Sequence, residues 1–135
     1  MTALTGAVFH HVGVACLHLD LETAHFRGLG YEVEGSDFED PVQGVRGRFL
    51  VAGGPRLELL ADLPGREVVA PWLRKGIRMY HLAWEVRNLR DAIRQLGNRG
   101  ARVVVAPVPA VAFPGRHIAF MMLANRQLVE YIGEY

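Results

Sequence analysis

The sequence is poor in cysteine: Cys16 stands alone among 135 residues. An internal disulfide is excluded, and a cytoplasmic protein is the natural expectation. Long apolar runs are missing as well. A spanning helix needs about 20 apolar residues, and stretches such as residues 118–124 fall far short, so no membrane partner is expected. Residues 1–8 carry no basic n-region and no cleavage-like site, and no export signal is expected. Neither sign of charge dominates, with 15 Lys and Arg against 14 Asp and Glu. That balance gives no electrostatic basis for binding nucleic acid or an anionic surface. Low-complexity segments are also absent. What remains is a chain that is 50% apolar and 21% charged, enough to bury a core as one domain over residues 1–135. Cys16 follows an apolar, strand-like run and reads as a small buried hydrophobe rather than a nucleophile.

An internal repeat of element order runs through the chain. Phe9-His10-His11-Val12-Gly13-Val14-Ala15 and Met79-Tyr80-His81-Leu82-Ala83-Trp84-Glu85-Val86 both alternate as half-buried strands do. A helical pattern follows each. The first is expected to be capped by Asp20, to carry Leu21, Ala24 and Phe26, and to stop at Gly28-Leu29-Gly30. The second is expected to be capped by Asn88, to carry Leu89, Ala92, Ile93 and Leu96, and to stop at Gly97-Asn98-Arg99-Gly100. Strands are predicted next at Tyr31-Glu32-Val33 and at residues 101–105. Two more are predicted in each half, at residues 48–52 and 56–61, then 117–123 and 127–132. The order β-α-β-β-β thus occurs twice, in modules of about residues 7–61 and 78–133. The linker, residues 62–77, should hold a short helix near residues 68–74. The expected fold class is α+β, with the two βαβββ modules forming an open, barrel-like mixed sheet.

Each half opens with a histidine in its first strand, His11 or His81, and closes with a glutamate in its last, Glu58 or Glu130. Taken singly, a strand histidine is more often a core residue and a strand glutamate more often solvated. Here Arg56-Leu57-Glu58-Leu59-Leu60 and Leu128-Val129-Glu130-Tyr131-Ile132 set each carboxylate among apolar neighbours at matching points of a repeat. Burying two carboxylates is costly, and a cation removes that cost. Approximate two-fold symmetry would bring all four side chains to one centre. Two imidazoles and two carboxylates suit one divalent ion: zinc, nickel, cobalt, manganese or iron. His10 points to the other face of its strand. His18 and His25 read as surface groups, and His117 as structural.

With these residues in view, the sequence resembles the vicinal oxygen chelate (glyoxalase, bleomycin resistance, dioxygenase) superfamily over residues 9–132. It looks most like the methylmalonyl-CoA epimerase group. The resemblance rests on His10-His11-Val12-Gly13-Val14-Ala15-Cys16, Asp40-Pro41-Val42-Gln43-Gly44-Val45 and Trp72-Leu73 ahead of Tyr80-His81-Leu82-Ala83-Trp84-Glu85-Val86. Gly115-Arg116-His117-Ile118-Ala119-Phe120-Met121 and Leu128-Val129-Glu130 complete it. It implies a glyoxalase-like fold, metal ligands at His11, Glu58, His81 and Glu130, and a homodimer. It also implies proton transfer next to a metal-chelated carbonyl, with Glu130 or Glu58 as base. The substrate implied is a small carbonyl compound or acyl thioester. Arg116, in a family-like segment, is expected to receive an anionic group of the substrate. Arg48 is a weaker candidate for that role.

Two positions depart from the epimerase pattern. Epimerases commonly carry Gln at the place of Glu58, whereas glyoxalase I carries Glu. Gly47 stands where a second carboxylate base is expected. The primary expectation is a metal-dependent isomerase or epimerase-like enzyme, with a glyoxalase I-like lyase as the alternative. A non-haem iron dioxygenase typically uses two histidines and one carboxylate, which Glu58 disfavours. A non-catalytic, resistance-type binding protein usually lacks the full ligand set.

Overall fold

The computed structural model describes residues 6–135, so most of the stretch read for an export signal lies outside the described residues. Eight strands and three helices follow the order β1 (Val8–Ala15), α1 (Leu19–Arg27), β2 (Glu32–Asp40), β3 (Val45–Val51), β4 (Leu57–Asp62), α2 (Ala70–Arg74), β5 (Met79–Asn88), α3 (Leu89–Gly97), β6 (Arg102–Pro109), β7 (His117–Met122) and β8 (Leu128–Glu134). The βαβββ order therefore does occur twice, and the class is α+β. The chain forms two compact units. One is His11–Tyr80, and the other joins the described residues up to His10 to His81–Tyr135.

Both units use the same wiring. In the first, the strands run β2-β3-β4-β1, with β1 parallel to β4 and the other neighbours antiparallel. In the second they run β6-β7-β8-β5, with β5 parallel to β8. A parallel pair needs a long crossover. In each unit the helix and the two outer strands supply it.

One face of each sheet is closed by its helix. α3 follows the expected pattern: Asn88 accepts from the Asp91 backbone N–H at 3.0 Å, and Leu89 and Ala92 are buried beside Val86, Ala119, Val129 and Tyr131. α1 departs from it. Its N-cap residue is His18, and Asp20 lies inside the first turn with its carboxylate on Arg48. The buried stripe is Leu19, Glu22, Thr23 and, partly, Phe26, while Leu21 is exposed. These positions are spaced i, i+3, i+4, i+7, as a helix demands, but two of them are polar. Thr23 is satisfied by donating to the Leu19 carbonyl at 2.6 Å, and Glu22 by an ion pair with Arg78.

The outer strands are longer than expected. β2 continues to Asp40 through a largely exposed, polar stretch, with an irregularity between Glu34 and Phe38 where Gly35 takes φ +68°. β6 runs to Pro109 and contains Pro107, which a strand at the end of the order tolerates because one side makes no ladder bonds. The short linker helix is present as α2. Asp62, at the end of β4, accepts from the N–H groups of Val68, Val69 and Ala70 at 2.8–3.1 Å and so sets where the helix begins. No helix among the described residues is long and apolar enough to cross a membrane.

Candidate functional site

Strand register places the histidines and glutamates. In the first unit Gly13 is the partner of Glu58 across the parallel β1–β4 pair. Side chains alternate along a strand, so His11, two residues before Gly13, shares the face of Glu58. His11 Nε2 lies 3.1 Å from Glu58 Oε1. The second unit repeats this offset: Ala83 is the partner of Glu130, and His81 Nε2 lies 3.4 Å from Glu130 Oε1. Both histidines are 0% exposed, and Glu58 and Glu130 are 4% and 3% exposed.

Each pair therefore presents one imidazole and one carboxylate in a dry environment. A buried carboxylate is unfavourable without a compensating positive charge. Imidazole nitrogen and carboxylate oxygen are the donor types that zinc, nickel, cobalt, manganese and iron accept. The chemistry of the donor set thus fits a divalent ion.

Two residues at these pairs were not foreseen. Phe49 is the cross-strand partner of Glu58, and its ring meets His11 edge-on at 5.5 Å. Phe120 is the cross-strand partner of Glu130, and its ring meets His81 edge-on at 5.3 Å. The repeat is therefore a His, Glu and Phe triplet, with a phenyl ring packed edge-on against each imidazole. The signal was present as an aromatic residue in the third strand of each module, but only the pairing register reveals its partner.

Gly47 lies two residues from Phe49 on the same face of β3. A Cβ built there would sit 2.2 Å from Phe38 Cζ and 2.6 Å from Cε1. Phe38 is the partner of Gly47 on β2, and its ring fills the space that a side chain at 47 would use. Gly47→Ala is expected to force that ring aside and to lower stability by about 1–3 kcal/mol, as overpacking does. Adding Phe38→Ala should return most of the loss, and a denaturant double-mutant cycle measures the coupling.

The two arginines differ in how far they are committed. Arg48 donates to Asp37 through Nε at 2.8 Å and Nη2 at 2.7 Å, and through Nη1 to Asp20 and Thr23, both at 2.9 Å. These bonds hold the Asp37 carboxyl below its ordinary range and raise the guanidinium further above its own. Arg48 and Arg46 line a polar cleft of about 490 Å³ with His18, Asp20, Asp37 and Glu39. By strand alternation they stand on the face opposite Gly47 and Phe49, so Arg48 ties α1 to β2. Arg116 donates from Nη1 to Glu85 Oε2 at 2.6 Å and lies over the Phe113 ring at 5.2 Å. His10 joins this group, 3.9 Å from Glu85 Oε1 and edge-on to Phe113.

The remaining sequence candidates sit away from the His and Glu pairs. His18 and His25 are exposed, and His117 stacks on Tyr135 at 5.3 Å. Cys16 is buried, and burial pushes its thiol up to about 11, which removes the thiolate needed for nucleophilic attack at neutral pH.

The sequence model of the Glyoxalase/Bleomycin resistance protein/Dioxygenase superfamily matches residues 10–120. No curated protein sequence matches the chain. Among solved structures, a hypothetical protein, BH1468 from Bacillus halodurans C-125, is 25% identical with a TM-score of 0.82, over 97% of this chain and 96% of that one. Methylmalonyl-CoA epimerase from Mycobacterium tuberculosis is 27% identical with a TM-score of 0.79, over 100% and 93%. A Streptomyces coelicolor methylmalonyl-CoA epimerase variant in complex with 2-nitronate-propionyl-CoA is 26% identical with a TM-score of 0.76, over 93% and 96%. The match across both modules, with the two repeated units that underlie it, makes this chain a member of the Glyoxalase/Bleomycin resistance protein/Dioxygenase superfamily.

Proposed function

We propose that His11, Glu58, His81 and Glu130 together hold one divalent metal ion, and that the chain is an isomerase or epimerase-like enzyme moving a proton next to a carbonyl. The observation that carries this reading is the duplication of a buried His and Glu pair at 3.1 and 3.4 Å, with the same register offset in each unit. The resemblance of both units to methylmalonyl-CoA epimerases supports an acyl thioester as the substrate class. A bound divalent ion would supply Lewis-acid stabilisation to the substrate oxygen next to the carbon that loses its proton.

The protein's own groups do the rest. Glu58 and Glu130 are the proposed bases. Bound to a cation, either carboxylate would be a weak base, and it would serve once the substrate's oxygens took its place. Phe49 and Phe120 exclude water from the imidazoles. Arg116 is the proposed receptor for an anionic group of the substrate. Glu85 already engages one terminal nitrogen, which leaves the guanidinium's other N–H groups to make the contact.

The Phe38 ring over Gly47 gives specific support to a second reading, a glyoxalase I-like lyase. That position offers no base, so the two module glutamates must serve. Both readings require proton exchange at carbon. The test is to measure the metal content of the purified protein, then follow deuterium uptake at the α-carbon of acyl thioesters and 2-hydroxyacyl thioesters in D₂O. Metal-dependent uptake is expected with one of the two classes. Uptake with neither, in metal-loaded protein, contradicts the reading.

A further inference from the structure

The two units differ at one register position, and the difference bears on the substrate. In the second unit the place equivalent to Gly47 is Ile118, with Val108 across from it on β6. Both are aliphatic, and Ile118 is buried. In the first unit the same place holds Gly47 opposite Phe38. The missing side chain lets the far end of the Phe38 ring reach over Gly47 on β3. From there it reaches Phe49, with centroids 5.9 Å apart and planes tilted by 34°, and Phe49 reaches His11. A continuous row, Phe38–Phe49–His11, thus leads away from the His11 and Glu58 pair. Both phenyl rings are only half-buried. Half-buried rings next to a buried polar pair offer apolar contact area, and no charged side chain stands within the row, although Phe38 also borders the cleft lined by Arg46, Arg48 and Asp37.

We propose that Phe38 and Phe49 form an apolar shelf that receives an aromatic or branched-alkyl substituent of the substrate, and that Gly47 exists to let Phe38 take this position. The shelf rests on the metal reading above and sets the substrate class within it. The reacting compound carries its metal-binding oxygens at one end and an apolar group, rather than a second charge, on the side of the first module. Aromatic rings prefer the offset or edge-on contacts that two tilted phenyl groups provide.

Two hydroxamic acids separate the shelf from the ion, because each presents the same pair of adjacent oxygens. Benzohydroxamate and acetohydroxamate are titrated by calorimetry into zinc-loaded protein and into its Phe38→Ala and Phe38→Leu variants. Phe38→Ala is expected to weaken benzohydroxamate by about tenfold, consistent with loss of a ring contact and its buried area, and to leave acetohydroxamate within about twofold. Phe38→Leu should keep most of the benzohydroxamate affinity. Nuclear Overhauser contacts between the benzohydroxamate ring and the Phe38 ring give a second readout. If both compounds bind and their affinity ratio is the same in all three proteins, the shelf is overturned and the metal reading stands. If neither binds to any of them, the metal reading fails and the shelf falls with it.

Discussion

Replacing His81 by Ala is expected to abolish the proposed binding of a divalent metal ion. His81 is fully buried, 3.4 Å from Glu130 and edge-on to Phe120, so no water or neighbouring side chain can take over its nitrogen without the core moving. Losing a group that merely orients a ligand typically costs 10–100-fold in affinity. Losing a ligand itself should cost about 100-fold or more. Metal content after dialysis against a weak chelator should drop from about one ion per chain to a small fraction. Because the truncation also leaves a cavity, His81→Leu serves as the partner variant: it refills most of the side-chain volume, offers no ligand atom and should lose the ion as well. Undiminished metal in both variants, with the fold intact, would remove His81 from the site. Retention of one ion by the His11 and Glu58 pair alone would show that the two pairs bind independently.

The second large effect is on carbon–hydrogen exchange. Glu58→Gln and Glu130→Gln keep the side-chain shape and can still offer an oxygen, but each removes a base. General-base catalysis is commonly worth about 10²–10⁴-fold, so at least one variant should lose deuterium incorporation by about 100-fold while holding its metal. The two need not behave alike. Phe38 closes the side of the first module where another base would stand, and the second module has Ile118 there. On the proposed mechanism a carboxylate acts from one or both modules, and the variant that loses exchange identifies which. If both variants retain metal and full exchange, neither glutamate is the base.

Much of this architecture is legible in the chain because burial leaves a pattern. His11 and His81 each lie in an alternating strand, and Glu58 and Glu130 each interrupt an apolar run, so their pairing by position follows from the repeat alone. Asn88 could be read as a cap because the helix after it has a clear apolar stripe. α1 could not be read in the same way. Its buried face includes Glu22 and Thr23, which are satisfied by Arg78 and by the Leu19 carbonyl, partners too distant or too local for a hydropathy pattern to register. Leu21 then drew the apolar face to the wrong side. The far half of β2 is not legible because its exposed residues carry no alternation, and its course is set by backbone pairing with β3. The contacts of Phe49, Phe120 and Phe38 are hidden for a related reason. Cross-strand neighbours depend on register, and register belongs to the sheet rather than to either strand.

Two repeated His and Glu pairs are proposed to serve one ion. The most direct test is the metal stoichiometry of the purified protein by mass spectrometry, combined with X-ray absorption at the edge of the metal found. One ion per chain, with two imidazole nitrogens among its nearest neighbours, is the result this account requires. Two ions per chain, or none retained at saturating metal, would contradict it.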